Sequence, residues 1–233
     1  MPESKSPAKG HFLAWDKEYA HLKWGGPAPV RDVLARIPAG ARVLDAGSGG
    51  GRYLGELAGH YAAVGVDVSL TALTKSREQL SRSGKIAGHT GASVHLLPFK
   101  KASFDGILCY GVLQHLFREE REDAVREFWR VLVDGGIVFF EAFGTEDMRC
   151  GGEPAKNVEG NSEEYSEESP EENTFLRQNG IIYHYFTKEE LVLLFEGFEV
   201  LELEDVKKEK VFRGEIYRRH MVRAIFRKNI REN

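Results

Sequence analysis

Cysteine is nearly absent. The 233-residue chain has two, Cys109 and Cys150, and they form no CxxC pair. That excludes a cysteine zinc cage or a disulfide framework, and two reduced thiols are the expectation. Long apolar runs are also missing: nothing approaches the ~18 consecutive apolar residues of a membrane span. The opening residues Met1-Pro2-Glu3-Ser4-Lys5-Ser6-Pro7 have no apolar core, so no secretory leader is expected. These absences predict a cytoplasmic protein that does not engage a membrane. Neither charge sign dominates, with 32 Lys+Arg against 36 Asp+Glu and a formal net charge of −4. A uniformly basic nucleic-acid-binding surface is thereby excluded, though charge can still be segregated locally. No repeat recurs at solenoid or propeller periods. What remains is an ordinary globular balance, 42% hydrophobic and 29% charged, at a length suited to one domain with an elaboration.

From Val33 to Phe143 short apolar runs alternate with helical patterns, which argues for βαβ units and a parallel sheet. Strands are expected at 42–46, 63–67, 93–96, 104–110 and 137–140. A short helix is expected at 53–58, a helix capped by Ser69 running toward Gly84, and a helix at 121–132 ended by Asp134-Gly135-Gly136. Between Gly151 and Glu172 eight glutamates stand against one lysine with almost no large apolar residues, a composition too poor in burial to order itself. A capping box, Thr187-Lys188-Glu189-Glu190, opens a helix through Phe195, and 198–206 and 218–226 read as a hairpin. The chain thus divides into a tail and helical cap (1–32), an α/β core (33–143), an acidic mobile insertion or lid (144–180), and a closing helix and hairpin (181–233).

The segment Val43-Leu44-Asp45-Ala46-Gly47-Ser48-Gly49-Gly50-Gly51-Arg52 carries most of the chemistry. A strand runs through a glycine-rich turn into a helix whose free N–H groups are donors for a ligand. A dinucleotide fingerprint wants Gly or Ala where Arg52 stands, and Asp45 at the mouth of the loop would repel a pyrophosphate. Asp67, 22 residues on and at the end of the second strand, can accept both hydroxyls of a ribose. A ribose joined to a cationic, phosphate-free body describes S-adenosylmethionine (SAM).

This segment resembles the class I SAM-dependent methyltransferases. So do Leu97-Pro98-Phe99…Ser103-Phe104-Asp105 before the fourth strand, Tyr110-Gly111-Val112-Leu113-Gln114-His115-Leu116 after it, and Arg130-Val131-Leu132…Gly135-Gly136 before the fifth. The resemblance implies a doubly wound, Rossmann-like seven-stranded α/β sheet, mostly parallel, with an antiparallel strand supplied by the C-terminal hairpin. It implies that Asp45, Gly47, Ser48, Gly49 and Gly51 line the methionyl part of the cofactor. Asp67 would hold the ribose, and Val68 would pack on the adenine. Ser93 and Val94 would edge the adenine, Ser93 standing where the family usually has Asp. Backbone at Cys109 and Tyr110 would face the methionyl amine, and Tyr19 and Trp24 would cap that end from a helix preceding the first strand.

Methyl transfer needs alignment and dryness rather than a nucleophile or metal, and no metal site is expected. A general base is required only for a protonated acceptor; His115 is the candidate on the acceptor side, and Tyr183-His184-Tyr185 could line the same pocket. The expected partner is a small-molecule methyl acceptor. Two alternatives stand beside it. One is a tRNA-modifying methyltransferase of the wobble-uridine kind, faintly resembled by 183–191 and helped by ten basic residues against two acids in 207–231. The other is a non-catalytic SAM-binding module.

Overall fold

The computed structural model describes residues 9–21, 28–154, 171–212 and 215–230. Their elements are α1 (Lys9–His21), α2 (Arg31–Arg36), β1 (Arg42–Ala46), α3 (Leu54–Leu57), β2 (Ala62–Asp67), α4 (Leu70–Arg82), β3 (Gly88–Gly91), β4 (Phe104–Tyr110), a 3₁₀ turn (Leu113–His115), α5 (Arg118–Val131), β5 (Leu132–Phe143), β6 (Glu153–Pro154), β7 (Thr174–Leu176), β8 (Ile182–His184), α6 (Lys188–Leu194), β9 (Phe198–Phe212) and β10 (Glu215–Lys228). The main sheet has seven strands in the order β3-β2-β1-β4-β5-β10-β9. β1 to β5 are parallel, and β10 enters antiparallel between β5 and β9. This is the Rossmann-like architecture that the sequence implied.

Both faces of the sheet are covered, which explains its continuous apolar strands. Alternate residues of a strand point to opposite faces. Val43 and Phe139 accordingly join one apolar cluster, with Leu54, Leu57 and Leu80. Leu44 and Phe140 join the other, with Phe128 and Phe195, where Phe195 stacks on Phe226 at 4.1 Å. Local signals behave as their chemistry requires. The Ser69 hydroxyl accepts from Ala72 N at 3.1 Å, and that of Thr187 from Glu190 N at 3.1 Å.

Several boundaries move. The third strand is Gly88–Gly91, not 93–96. It is a short edge strand, polar and glycine-ended, so it has no apolar signature, whereas 93–96 lies in the loop beyond its carboxyl end. α5 starts at Arg118, and β5 starts at Leu132 directly behind it. Asp134-Gly135-Gly136 therefore falls within the strand. The flanks of the acidic insertion fold into a second, three-stranded sheet, β6-β7-β8; residues 155–170 lie outside the described residues.

Glu171 anchors that sheet to the core. It pairs with the guanidinium of Arg121, which is buried to 1% and also lies 3.6 Å from Glu190. His184 is 2.8 Å from Glu190 and 3.6 Å from Glu171. The two carboxylates and the imidazole lie within 4.8 Å of one another, the spacing of a metal nest, but here Arg121 supplies the positive charge between them. Among the described residues no helix is long and apolar enough to cross a membrane.

Candidate functional site

The sheet order reverses between β1 and β4, and ligands of open α/β sheets bind in the crevice beyond the strand ends at such a point. The turn after β1 enters it. Gly47 N and Ser48 N both donate to Val66 O, at 2.8 and 2.9 Å, folding the turn onto β2. Gly47 has φ +77° and Gly49 φ +51°, conformations that glycine adopts without steric cost. Close approach demands glycine as well: a Cβ on Gly47 would lie 2.3 Å from Val112 Cγ2, and one on Gly49 2.2 Å from the Tyr19 hydroxyl. Asp67 clamps the arrangement, its Oδ2 accepting from Gly49 N and its Oδ1 from Ser69 N, both at 2.8 Å.

Two polar atoms at this turn, Asp45 Oδ2 and Ser48 Oγ, are buried without a hydrogen-bond partner among the described residues. Burying such atoms unpaired is costly. Together with a glycine cradle that any side chain would fill, they fit a ligand that presents hydrogen-bond donors or positive charge. Burial and the neighbouring Asp67 push the Asp45 carboxyl up to about 7. Burial pushes Asp67 up to about 6, against the lowering effect of its backbone hydrogen bonds.

These shifts have a definite sign. Between the ordinary carboxylate range and about pH 7 the folded protein holds protons that the unfolded chain has released, so this pair makes ligand-free protein less stable as pH rises. Burial lowers the pKa of His184, which has the opposite effect near neutrality. The contribution of Asp45 is therefore read by difference. Asp45→Asn is expected to gain stability relative to wild type between pH 5 and 7.5, measured by urea midpoints. A gap independent of pH would contradict the assignment.

Two clefts open here. One, with about 530 Å³ of empty volume, is bounded by Asp67, Val68, Ala92, Ser93, Val94 and Leu116. The other, about 1430 Å³, passes Ser48, Gly49 and Tyr110 to Glu141, Phe143, Arg149, Tyr183 and Arg219. Trp15, Tyr19, Gly47, Gly111 and His115 line both, so the two are neighbours that share this wall. α1 lies over the junction. Its Asp16 accepts from Ser69 Oγ at 2.5 Å, and the carbonyl of Tyr19 accepts from Lys75 Nζ.

His115 stands at this junction with both ring nitrogens engaged. Nδ1 lies 2.8 Å from Ile182 O, so it carries the proton. Nε2 lies 3.2 Å from Gln114 Nε2, whose amide is oriented by Phe143 N donating to its Oε1 at 3.0 Å. The ring packs edge-on with Trp15 at 4.8 Å and Tyr183 at 5.0 Å.

Of the residues singled out by sequence, Asp67, Val68, Ser93, Val94, Gly47, Ser48, Gly49, Tyr110, Tyr19 and His115 all line one cleft or the other. Asp45 lies beneath the glycine turn, fully buried. Of the others, only Gly51 departs from its expected place. The Cys109 side chain is fully buried in the core cluster, turned inward by alternation along β4, which leaves the expectation for its backbone untouched. Gly51 packs against Ser76, whose Oγ would be 2.2 Å from an added Cβ, and so it serves helix packing rather than lining. The Ser93 hydroxyl is engaged by His95 Nδ1 at 2.8 Å. Trp24 lies outside the described residues. In the 183–185 run only Tyr183 faces the cleft, since alternation turns His184 toward Glu190. Gly111, Val112, Arg149 and Arg219 were missed; the first two directly follow β4, a signal available in the sequence.

Residues 44–140 match the family described as methyltransferase domain. Over 136 residues the chain is 34% identical to the ubiquinone biosynthesis O-methyltransferase of Thiobacillus denitrificans, covering 54% of this chain and 56% of that protein. It is 29% identical over 149 residues to a tRNA (carboxymethyluridine(34)-5-O)-methyltransferase of Arabidopsis thaliana, covering 56% of this chain and 34% of that one. The chain thus spans just over half the length of the first and a third of the second. Among solved structures, a SAM-dependent methyltransferase of Methanosarcina mazei superposes with a TM-score of 0.67 at 23% identity, covering 86% of this chain and 98% of that one. The 1,6-didemethyltoxoflavin-N1-methyltransferase of Burkholderia thailandensis, solved with bound 1,6-didemethyltoxoflavin and S-adenosylhomocysteine (SAH), superposes at 0.61 and 19% identity, covering 93% and 79%. These two structural matches establish the fold.

Proposed function

We propose, proceeding from the premise that residues 44–140 are a class I SAM-dependent methyltransferase domain, that the chain moves a methyl group from SAM to a small-molecule acceptor by in-line displacement. The observation that carries this reading is that the two clefts lie side by side across Gly47, Gly111 and His115, with Tyr19 and Trp15 of α1 at the boundary. In-line transfer requires donor and acceptor to meet along one axis, with water kept out.

The bound cofactor supplies an electrophilic methyl on a sulfonium. The chain's own residues do the rest. Asp67 accepts from the ribose hydroxyls, while Val68, Val94 and Leu116 form apolar walls for the adenine. The unpaired Asp45 Oδ2 and Ser48 Oγ, with backbone at Gly47–Gly49 and Tyr110–Gly111, hold the methionyl end, where a cation favours ionised Asp45. His115, with its tautomer fixed by Ile182 O, is the acceptor-side residue; taking an acceptor proton on Nε2 would require the Gln114 amide to yield.

Tyr19 closes the junction from α1. Tyr19→Ala is expected to weaken SAH binding about tenfold, the worth of one packed aromatic ring, in a protein that still folds; unchanged affinity by calorimetry would remove the capping role. The activity itself is tested with methyl-labelled SAM and cell extract separated into small metabolites, RNA and protein. Label in the small-metabolite fraction is expected. Label in RNA alone would transfer the reading to tRNA modification, and SAH binding with no labelled fraction would leave a SAM-binding module.

A further inference from the structure

The far wall of the second cleft is built around one buried carboxylate. The Asp147 side chain is 0% exposed, and it accepts from Arg149 Nε at 2.8 Å and from Arg219 Nε at 2.9 Å, and from His220 N at 3.2 Å. Against the burial that would raise it, the hydrogen bonds from the two arginines hold its carboxyl below the usual range. A single negative charge thus orients two guanidiniums, which remain 33% and 44% exposed and line the cleft.

Arg177 adds a third guanidinium at the edge. It donates to Gly151 O at 2.9 Å and to Tyr185 Oη at 2.6 Å, with its carbon 5.0 Å from the Tyr183 ring centre. Glu141, an acid on the same wall, is taken up by Arg223 at 2.5 Å. Arg52, Arg149 and Arg219 line this cleft with Glu18 and Glu141, and Glu141 is the one taken up by Arg223. Beside it the wall is aromatic: Phe143 lies 5.4 Å from Tyr183 between ring centres, and Arg149 covers the Phe143 ring at 4.2 Å.

Resting on the methyl-transfer reading, we propose that the acceptor is a planar, anionic molecule whose carboxylate or phosphate is held by Arg149 and Arg219 while its ring lies against Phe143 and Tyr183. Arg149 gives Asp147 its Nε and, at 3.2 Å, one Nη2 hydrogen, and Arg219 its Nε; the remaining N–H groups of the two guanidiniums are available to an oxyanion. Aromatic walls recognise a flat body, and together they leave the acceptor atom free to face the junction at His115.

The test uses the full chain loaded with SAH and titrated by calorimetry with benzoate, phenyl phosphate and benzamide. One of the two anions is expected to bind at least about tenfold tighter than benzamide, as a charge-assisted bidentate contact would give, and which anion it is identifies the group. Arg149→Met and Arg219→Met, each leaving Asp147 one guanidinium, should each erase that preference. SAH affinity, measured on the same samples, should stay within about twofold, and it reports folding. Equal binding of benzamide, no binding of either anion, or an anion preference that survives both substitutions would overturn the proposal. If wild-type protein failed to bind SAH, the methyl-transfer reading itself would fall first.

Discussion

Gly47→Ala is expected to lower SAH affinity by about a hundredfold and to cost about 2–4 kcal/mol of stability, the sum of two separate penalties. The first is backbone strain, since alanine at φ +77° loses about 1–2 kcal/mol. The second is overlap with Val112, whose Cγ2, Cγ1 and Cβ would lie 2.3, 3.0 and 3.2 Å from the new methyl. A β-branched side chain has few χ1 escapes, so the backbone at 111–113 must give way, and Gly111 and Val112 are themselves cleft residues. Gly49→Ala is milder, because its methyl meets the tip of Tyr19, which can swing aside with α1. Urea denaturation and calorimetry on the two variants check the ordering. A Gly47→Ala protein as stable as wild type and equally avid for SAH would show that the turn is not the cradle.

The second large effect is expected behind the first cleft, where Arg121 holds the carbonyl of Leu116. Arg121→Met should destabilise the protein by about 3 kcal/mol or more, because removing one partner strands the remaining buried charge. Arg121 donates to Leu116 O at 2.7 Å and pairs with Glu171 and Glu190. Methionine fills its volume but removes the buried cation from Leu116 O and from two acids, leaving Glu190 its contact with His184 and Glu171 its contact with Arg118 N. Part of the cost is relieved where Glu190, 32% exposed, reaches water. Lower pH, by protonating the stranded carboxylates, should narrow the gap. A loss of less than about 1 kcal/mol, the range of an exposed pair, would mean that the cluster is not buried in solution.

The legible part of this molecule was the part held together by nearby residues. Asp45, the glycine turn and Asp67 lie on consecutive strands, and Ser69 and Thr187 cap the helices that follow them. Pattern and chemistry coincide there. β3 was misplaced because Gly88-His89-Thr90-Gly91 is held by pairing with β2, not by apolar content. The stronger apolar alternation after it belongs to a loop that lines the first cleft. Glu171, read as one more solvated glutamate, turned out to be a partner for a buried arginine 50 residues away. Arg149 and Arg219 carried no signal at all. They meet only because β10 crosses back beside β5 and Asp147 binds both, a convergence that periodicity along the chain cannot express.

The central claim is that the turn after β1, with Asp45 below it and Asp67 beside it, holds an adenosyl compound carrying a methionyl group rather than a pyrophosphate. Calorimetry of the intact chain with SAH and, separately, with NAD tests it most directly. Saturable heat with SAH, absent with NAD and abolished by Asp67→Ala, is the predicted result. Binding of NAD in the absence of any response to SAH or SAM would contradict it.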